Sequence, residues 1–195
     1  MSKGYYITIK ESICAPVQIE AEDKLEQRIK LKAILPKSEM KELLKEALLD
    51  LGFLEEEELL VRLDESGELQ IVDLEKMILT AKINRSETEM RELSEQKQIT
   101  LEKRVQQEQI KQQLKERLQE QVDNLTTEHS ARLQLEIAAT LAENTPQRNE
   151  LIHTALQKTY AEALKRKAQS LGQVLEQSEN ISEDGQYELN IKIEL

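Results

Sequence analysis

The sequence predicts an α+β fold. A small antiparallel sheet and one short helix form a head. A long antiparallel helical hairpin, a coiled-coil arm, is inserted before a C-terminal strand. Three observations predict this. Apolar residues alternate with polar ones in several short segments before residue 85. From Ser86 to Glu143 there is no Gly and no Pro, and the residues are mostly strong helix formers. Strict alternation then returns over the last nine residues. Five Gly and three Pro among 195 residues argue against a loop-rich all-β chain. With 3% aromatics, any core must be built from Ile, Leu and Val.

Tyr5, Ile7 and Ile9 fall on one face of an extended segment, with Tyr6, Thr8 and Lys10 on the other. Val17, Ile19 and Ala21 alternate in the same way, as do Ile29, Leu31 and Ala33. Polar turns between them predict three strands of a meander. Pro36 closes the third strand, and Ser38 is the expected N-cap of a helix. Met40, Leu43, Leu44, Ala47, Leu48 and Leu51 recur at threes and fours and make one apolar stripe. Gly52 sits where a left-handed residue ends a helix, and Phe53 is placed to pack back on Leu48. Leu59, Val61 and Leu63, a turn at Asp64-Glu65-Ser66-Gly67, then Leu69 and Ile71 predict a hairpin. Leu79, Ala81 and Ile83 suggest one more strand.

Beyond Arg85 the apolar side chains thin to a narrow seam, Ile110, Leu114, Leu118 and Val122, spaced by four. That spacing exceeds 3.6 residues and favours straight or right-handed winding. Nine Gln lie between Gln96 and Gln121, interleaved with charges, as on a solvated helix face. Asn144-Thr145-Pro146 is the expected turn of the hairpin, because Pro suits a first helical position. A second helix to Ser178 carries a broader face, and Ala155, Ala161, Ala163 and Ala168 permit close approach of another helix.

Asp184-Gly185 signals a turn before Tyr187, Leu189, Ile191, Ile193 and Leu195. A strand with one apolar face needs a sheet to join. The expected organisation is therefore a head at 1–85, a helical arm at 86–178, and a strand at 179–195 returning to the head sheet. A helix over 86–143 would reach about 87 Å and one over 146–178 would return about 50 Å. A break between Asp123 and Ser130 would shorten the outgoing helix.

Chemistry-bearing patterns are sparse. His129 and His153 would lie too far apart along a hairpin turning near residue 145 to share a metal. Cys14 has no second thiol and excludes an intramolecular disulfide. Glu55 to Glu58 reads as a solvated linker, with attraction of a cation or a basic partner as the alternative. Asp64 to Glu68 lacks the ligand pattern of a calcium loop. No Gly-rich phosphate loop, Gly-x-Ser-x-Gly or His-Glu-x-x-His occurs. No cofactor, metal site or catalytic residue is expected, and the chain is expected not to be an enzyme.

The formal net charge is −11, −5 over residues 1–85 (13 basic, 18 acidic) and −6 over 86–195 (14 basic, 20 acidic). Neither part offers the clustered Lys and Arg that phosphate binding needs, so nucleic acid is not an expected partner. No apolar run is long enough for a membrane span or a signal peptide, which makes the cytoplasm the expected compartment.

Three segments carry a family resemblance: Tyr5-Tyr6-Ile7-Thr8-Ile9-Lys10, the helix Lys41 to Phe53, and Asp184-Gly185 with the terminal strand. Together they resemble small accessory proteins that accompany FtsH-like and MoxR-like AAA+ ATPases in bacteria. The resemblance implies a noncatalytic subunit or adaptor of an ATP-driven, chaperone-like complex, and it carries no functional residue across. The acidic, Gln- and Glu-rich helix before a small α/β unit also looks like peripheral stalk subunits of rotary ATPases and export machines, although here strands precede the helix too. The expected function is thus a noncatalytic interaction protein whose head and arm bridge protein partners, an AAA+ ATPase among them. The seam Ile110, Leu114, Leu118 and Val122 is the candidate contact, for a partner helix or a second copy. A prefoldin-like holdase is the alternative, and an enzyme with an unrecognised site the third reading.

Overall fold

A computed structural model describes residues 6–100, 106–181 and 187–194. It confirms the α+β class. The elements run β1 (Tyr6–Arg28), α1 (Lys37–Asp50), β2 (Leu54–Glu56), β3 (Leu59–Leu63), β4 (Leu69–Asp73), β5 (Ile78–Thr100), α2 (Gln107–Glu143), α3 (Thr145–Leu171), β6 (Gln173–Ile181) and β7 (Tyr187–Glu194). An antiparallel five-stranded sheet has the order β1-β5-β4-β3-β2, and β6 and β7 form a separate two-stranded sheet. The chain folds as two compact units: Met1–Asp23 with Asn84–Ala138, and Lys24–Ile83 with Ala139–Leu195.

The first unit holds most of β1, the outer part of β5 and most of α2. The expected meander is one strand here. The odd positions from Ile7 to Gln27 turn inward without a break in phase, and Ile9, Val17 and Ile19 are buried. Pro16 does not interrupt β1 because β1 is an edge strand and need not donate on both sides. Tyr5 lies outside the described residues. Residues 86–100, expected to be helix, continue β5. Their Glu, Gln and Lys are good helix formers, but pairing with β1 overrides that weak preference. The helix proper begins at Gln107. Its seam faces strands, not a second helix: Ile110 and Leu114 pack with Ile9 and Ile99, and Ile7 lies against them. Leu118 and Val122 are buried as well. Gln121 Nε2 donates to Glu95 Oε1 at 2.6 Å, which ties α2 to β5 beside the seam. Asp123 to Ser130 contains no break; Thr126 and Thr127 return their hydroxyls to the carbonyls of Val122 and Asp123 within a continuous helix.

In the second unit α1 follows its sequence signals closely. It starts two residues earlier than expected, at Lys37, with Pro36 as N-cap in place of Ser38 and no side-chain cap hydrogen bond. Leu44 and Leu48 have no exposed surface, and each such burial contributes roughly 1.5–3 kcal/mol. The helix stops as expected. Gly52, at φ +88°, donates to Leu49 O, and Phe53 donates to Leu48 O at 3.1 Å. Ile29, Leu31 and Ala33 lie beyond the end of β1 and form no strand. Ile29 instead enters the core with Leu44, Leu48, Phe53, Leu60, Val72, Leu79, Ile152 and Ala155.

The hairpin expected at residue 144 does not form. Asn144 is helical, Asn144 N–H donates to Thr140 O and Arg148 N–H to Asn144 O, so α2 and α3 run end to end. Pro146 sits at the start of α3, where its missing N–H causes a local break and no reversal. The small residues of α3 do serve close approach, and the helix they admit is α1: Ala163 packs with Met40 and Leu43. Gly172 ends α3 at Leu171, and Val174 and Leu175 belong to a strand. That strand, β6, is the partner of β7, so the C-terminal strand does not return to the head sheet. The hairpin rests on α3 and keeps Tyr187, Leu189, Ile191 and Ile193 half-buried. Asp184-Gly185 and Leu195 lie outside the described residues.

Candidate interaction site

The second unit presents two surfaces with recognisable chemistry. One is a groove of about 490 Å³ between α1, α3 and the β6–β7 hairpin. Its floor is made of Leu43, Ala47 and Ala161, where the close approach of α1 and α3 leaves only small or apolar side chains. Its walls are ion pairs: Lys165 with Glu179 at 2.6 Å, Lys158 with Asp50 at 3.6 Å, and Arg166 with Glu46 at 3.8 Å. Tyr187 OH donates to Glu179 at 2.9 Å. Burial first, and that hydrogen bond second, push the Tyr187 phenol up to about 12. The Lys165 ammonium, with help from Tyr187, holds the Glu179 carboxyl below its ordinary range. Every cation in this wall already has an acid beside it.

The other surface is the outer face of the sheet. Leu60, Val72 and Leu79 point to the helices and are buried. Leu59, Val61 and Leu63 point the other way, together with Leu69 and Ile71. The reason is visible in the run Leu59-Leu60-Val61, which is apolar on both faces and leaves the phase of the strand open. The phase is set by the neighbours Val72 and Leu79, which bring Leu60 inward with them.

A buried polar knot holds β3 and β4 to the α2–α3 junction. Arg148 donates to Glu68 Oε2, Leu141 O and Thr145 Oγ1. Asn144 Nδ2 donates to Glu68 and to Ser66, and Gln70 Nε2 to Glu68. Arg148 Nε and Gln70 Oε1 are buried without a partner. The remaining donors and acceptors of the knot are spent on contacts within the fold, which marks a structural clamp.

The seam residues named from sequence, Ile110, Leu114, Leu118 and Val122, are buried in the first unit. His129 is half-buried in the first unit beside Glu87, Arg91 and Glu136, whereas His153 is exposed in the second. Cys14 is exposed on β1. Asp64 to Glu68 is the expected hairpin loop, with Asp64 Oδ1 accepting from the Ser66 and Glu68 N–H groups. Among the described residues no group of three His, Cys, Asp or Glu could hold a metal ion, and no helix is long and apolar enough to cross a membrane.

A family model described as FtsH ternary system domain X5 matches residues 1–195. The chain belongs to the FtsH ternary system domain X5 family. The match agrees with the resemblance carried by Tyr5 to Lys10, Lys41 to Phe53 and the terminal strand. Comparison with curated proteins and with solved structures gave no match. The X5 family name points to association with an FtsH-type AAA+ system and to an accessory role in it.

Proposed function

We propose that this X5-family chain is a noncatalytic adaptor subunit that couples an FtsH-type AAA+ ATPase to another protein of the same system. The observation that carries this reading is the division of one chain into two units, each with its own buried core. β1, β5 and α2 each pass from one unit into the other, so three covalent connections join them. A chain built this way can commit each unit to a different partner. The groove with its paired charges and the buried clamp leave no unpaired acid or base positioned for chemistry, which supports a binding role. The holdase alternative drew on paired helical tips; α2 and α3 run end to end and do not provide them.

Affinity purification of the tagged full-length chain from its native cell tests the proposal. An AAA+ ATPase should co-purify at fixed stoichiometry, along with a second protein. Recovery of the chain alone, or with a changing set of unfolded clients, would overturn it.

A further inference from the structure

We propose that the outer face of the β2–β3–β4 sheet docks a different protein, one that presents an apolar patch with Lys or Arg side chains at both ends. The proposal deepens the adaptor reading and rests on it.

The face is contiguous. The register sets Leu54 beside Val61, Val61 beside Ile71, and Leu63 beside Leu69. Leu54 and Leu63 are each 68% exposed, far above Leu60 at 2% on the opposite face. Single exposed leucines are ordinary on a protein surface, but an apolar row across three strands marks an interaction site.

Charge selects the occupant. Glu56, Glu57 and Glu58 stand at the start of β3, and Asp64 and Glu65 follow its end, so carboxylates bracket the apolar row at both ends. Glu58 and Asp64 are six residues apart along β3, which places the two acidic ends about 20 Å apart at 3.3 Å per residue. A second copy of the chain fits badly. Because both ends are acidic, a copy laid on this face in either direction sets carboxylates against carboxylates, and each copy carries a net charge of −11. A partner with cations flanking an apolar centre meets both demands. The rim charges speed the encounter, and the desolvated centre holds the complex.

A photo-crosslinking residue placed at position 63 of the full-length chain, in its native cell, tests this. Sequencing of the captured peptide should show a different protein with apolar residues flanked by Lys or Arg. Capture should fall at least fivefold in Leu54→Glu and in the double variant Glu56→Lys/Glu58→Lys, and should weaken as salt rises. Glu56 at the end of β2 and Glu58 in the following turn are both exposed, so the double variant reports binding even if Leu54→Glu perturbs the fold. Crosslinks to a second copy, to this chain's own residues or to an acidic peptide overturn the docking site, as does no crosslink at all. Co-purification of the ATPase, scored in the same samples, separates the two proposals. ATPase retained without the crosslink overturns the docking face alone; the expected crosslink without any ATPase overturns the adaptor reading alone.

Discussion

Arg148 and Glu68 form an ion pair at 2.5 Å in which neither side chain has any exposed surface. Their attraction spans eighty residues of sequence and fixes the β3–β4 loop to the break between α2 and α3. A buried pair contributes little relative to apolar residues of the same size, but half a pair is costly. Arg148→Met should therefore lower stability by roughly 3–5 kcal/mol in chemical denaturation, because it strands the Glu68 carboxylate. Adding Glu68→Leu should restore most of the loss. A double variant no more stable than the single one would contradict this.

Two turn residues should respond with opposite signs. Gly52 has φ +88°, and a Cβ there would meet no neighbour within 4 Å, so the effect of Gly52→Ala is purely conformational. It should destabilise by about 1–2 kcal/mol. Glu57 has φ +56° in the two-residue turn between β2 and β3, a conformation that suits Gly. Glu57→Gly should stabilise by a few tenths to about 1 kcal/mol. Thermal denaturation of both variants checks the two signs together.

The seam of α2 belongs to the core. Leu118 is 1% exposed, so Leu118→Ala should cost about 2–5 kcal/mol. Partner capture by this variant, measured at a temperature where it remains folded, should equal that of the parent. Lost capture with unchanged stability would return the seam to the surface.

Tyr187 gives a pH signature. Its folded value is raised from 10.0 to about 12, so folding favours the neutral phenol. Stability from this group is fully present below pH 10 and is lost as pH rises from there toward about 12. Glu179 acts at the other end: its folded value is lowered, so its contribution is lost as pH falls below the ordinary 4.5. Spectrophotometric titration should show one late tyrosinate step that disappears in Tyr187→Phe.

Where one local signal had no competitor, the sequence was decisive. The α1 stripe, its stop at Gly52-Phe53 and the Asp64 to Gly67 turn all stand as expected. Where long-range pairing decides, local signals mislead. Residues 86–100 look helical by composition and become strand because β1 offers a partner. The clue lay in phase: every apolar position that suggested the first two strands is odd-numbered, as one long strand requires. Asn144-Thr145-Pro146 has the residues of a turn, but Arg148 and Asn144 spend their donors on Glu68 and Leu141 and keep the helix going. The outer sheet face was hidden for a different reason. A strand apolar on both sides cannot reveal from periodicity which side meets the core.

The most direct measurement mixes the purified chain with the FtsH-type ATPase of its own cell and records mass and ATP turnover together. A single complex of fixed stoichiometry, with turnover confined to the ATPase, is the predicted result. Two species that stay separate at every concentration, or hydrolysis by the chain alone, would contradict the account.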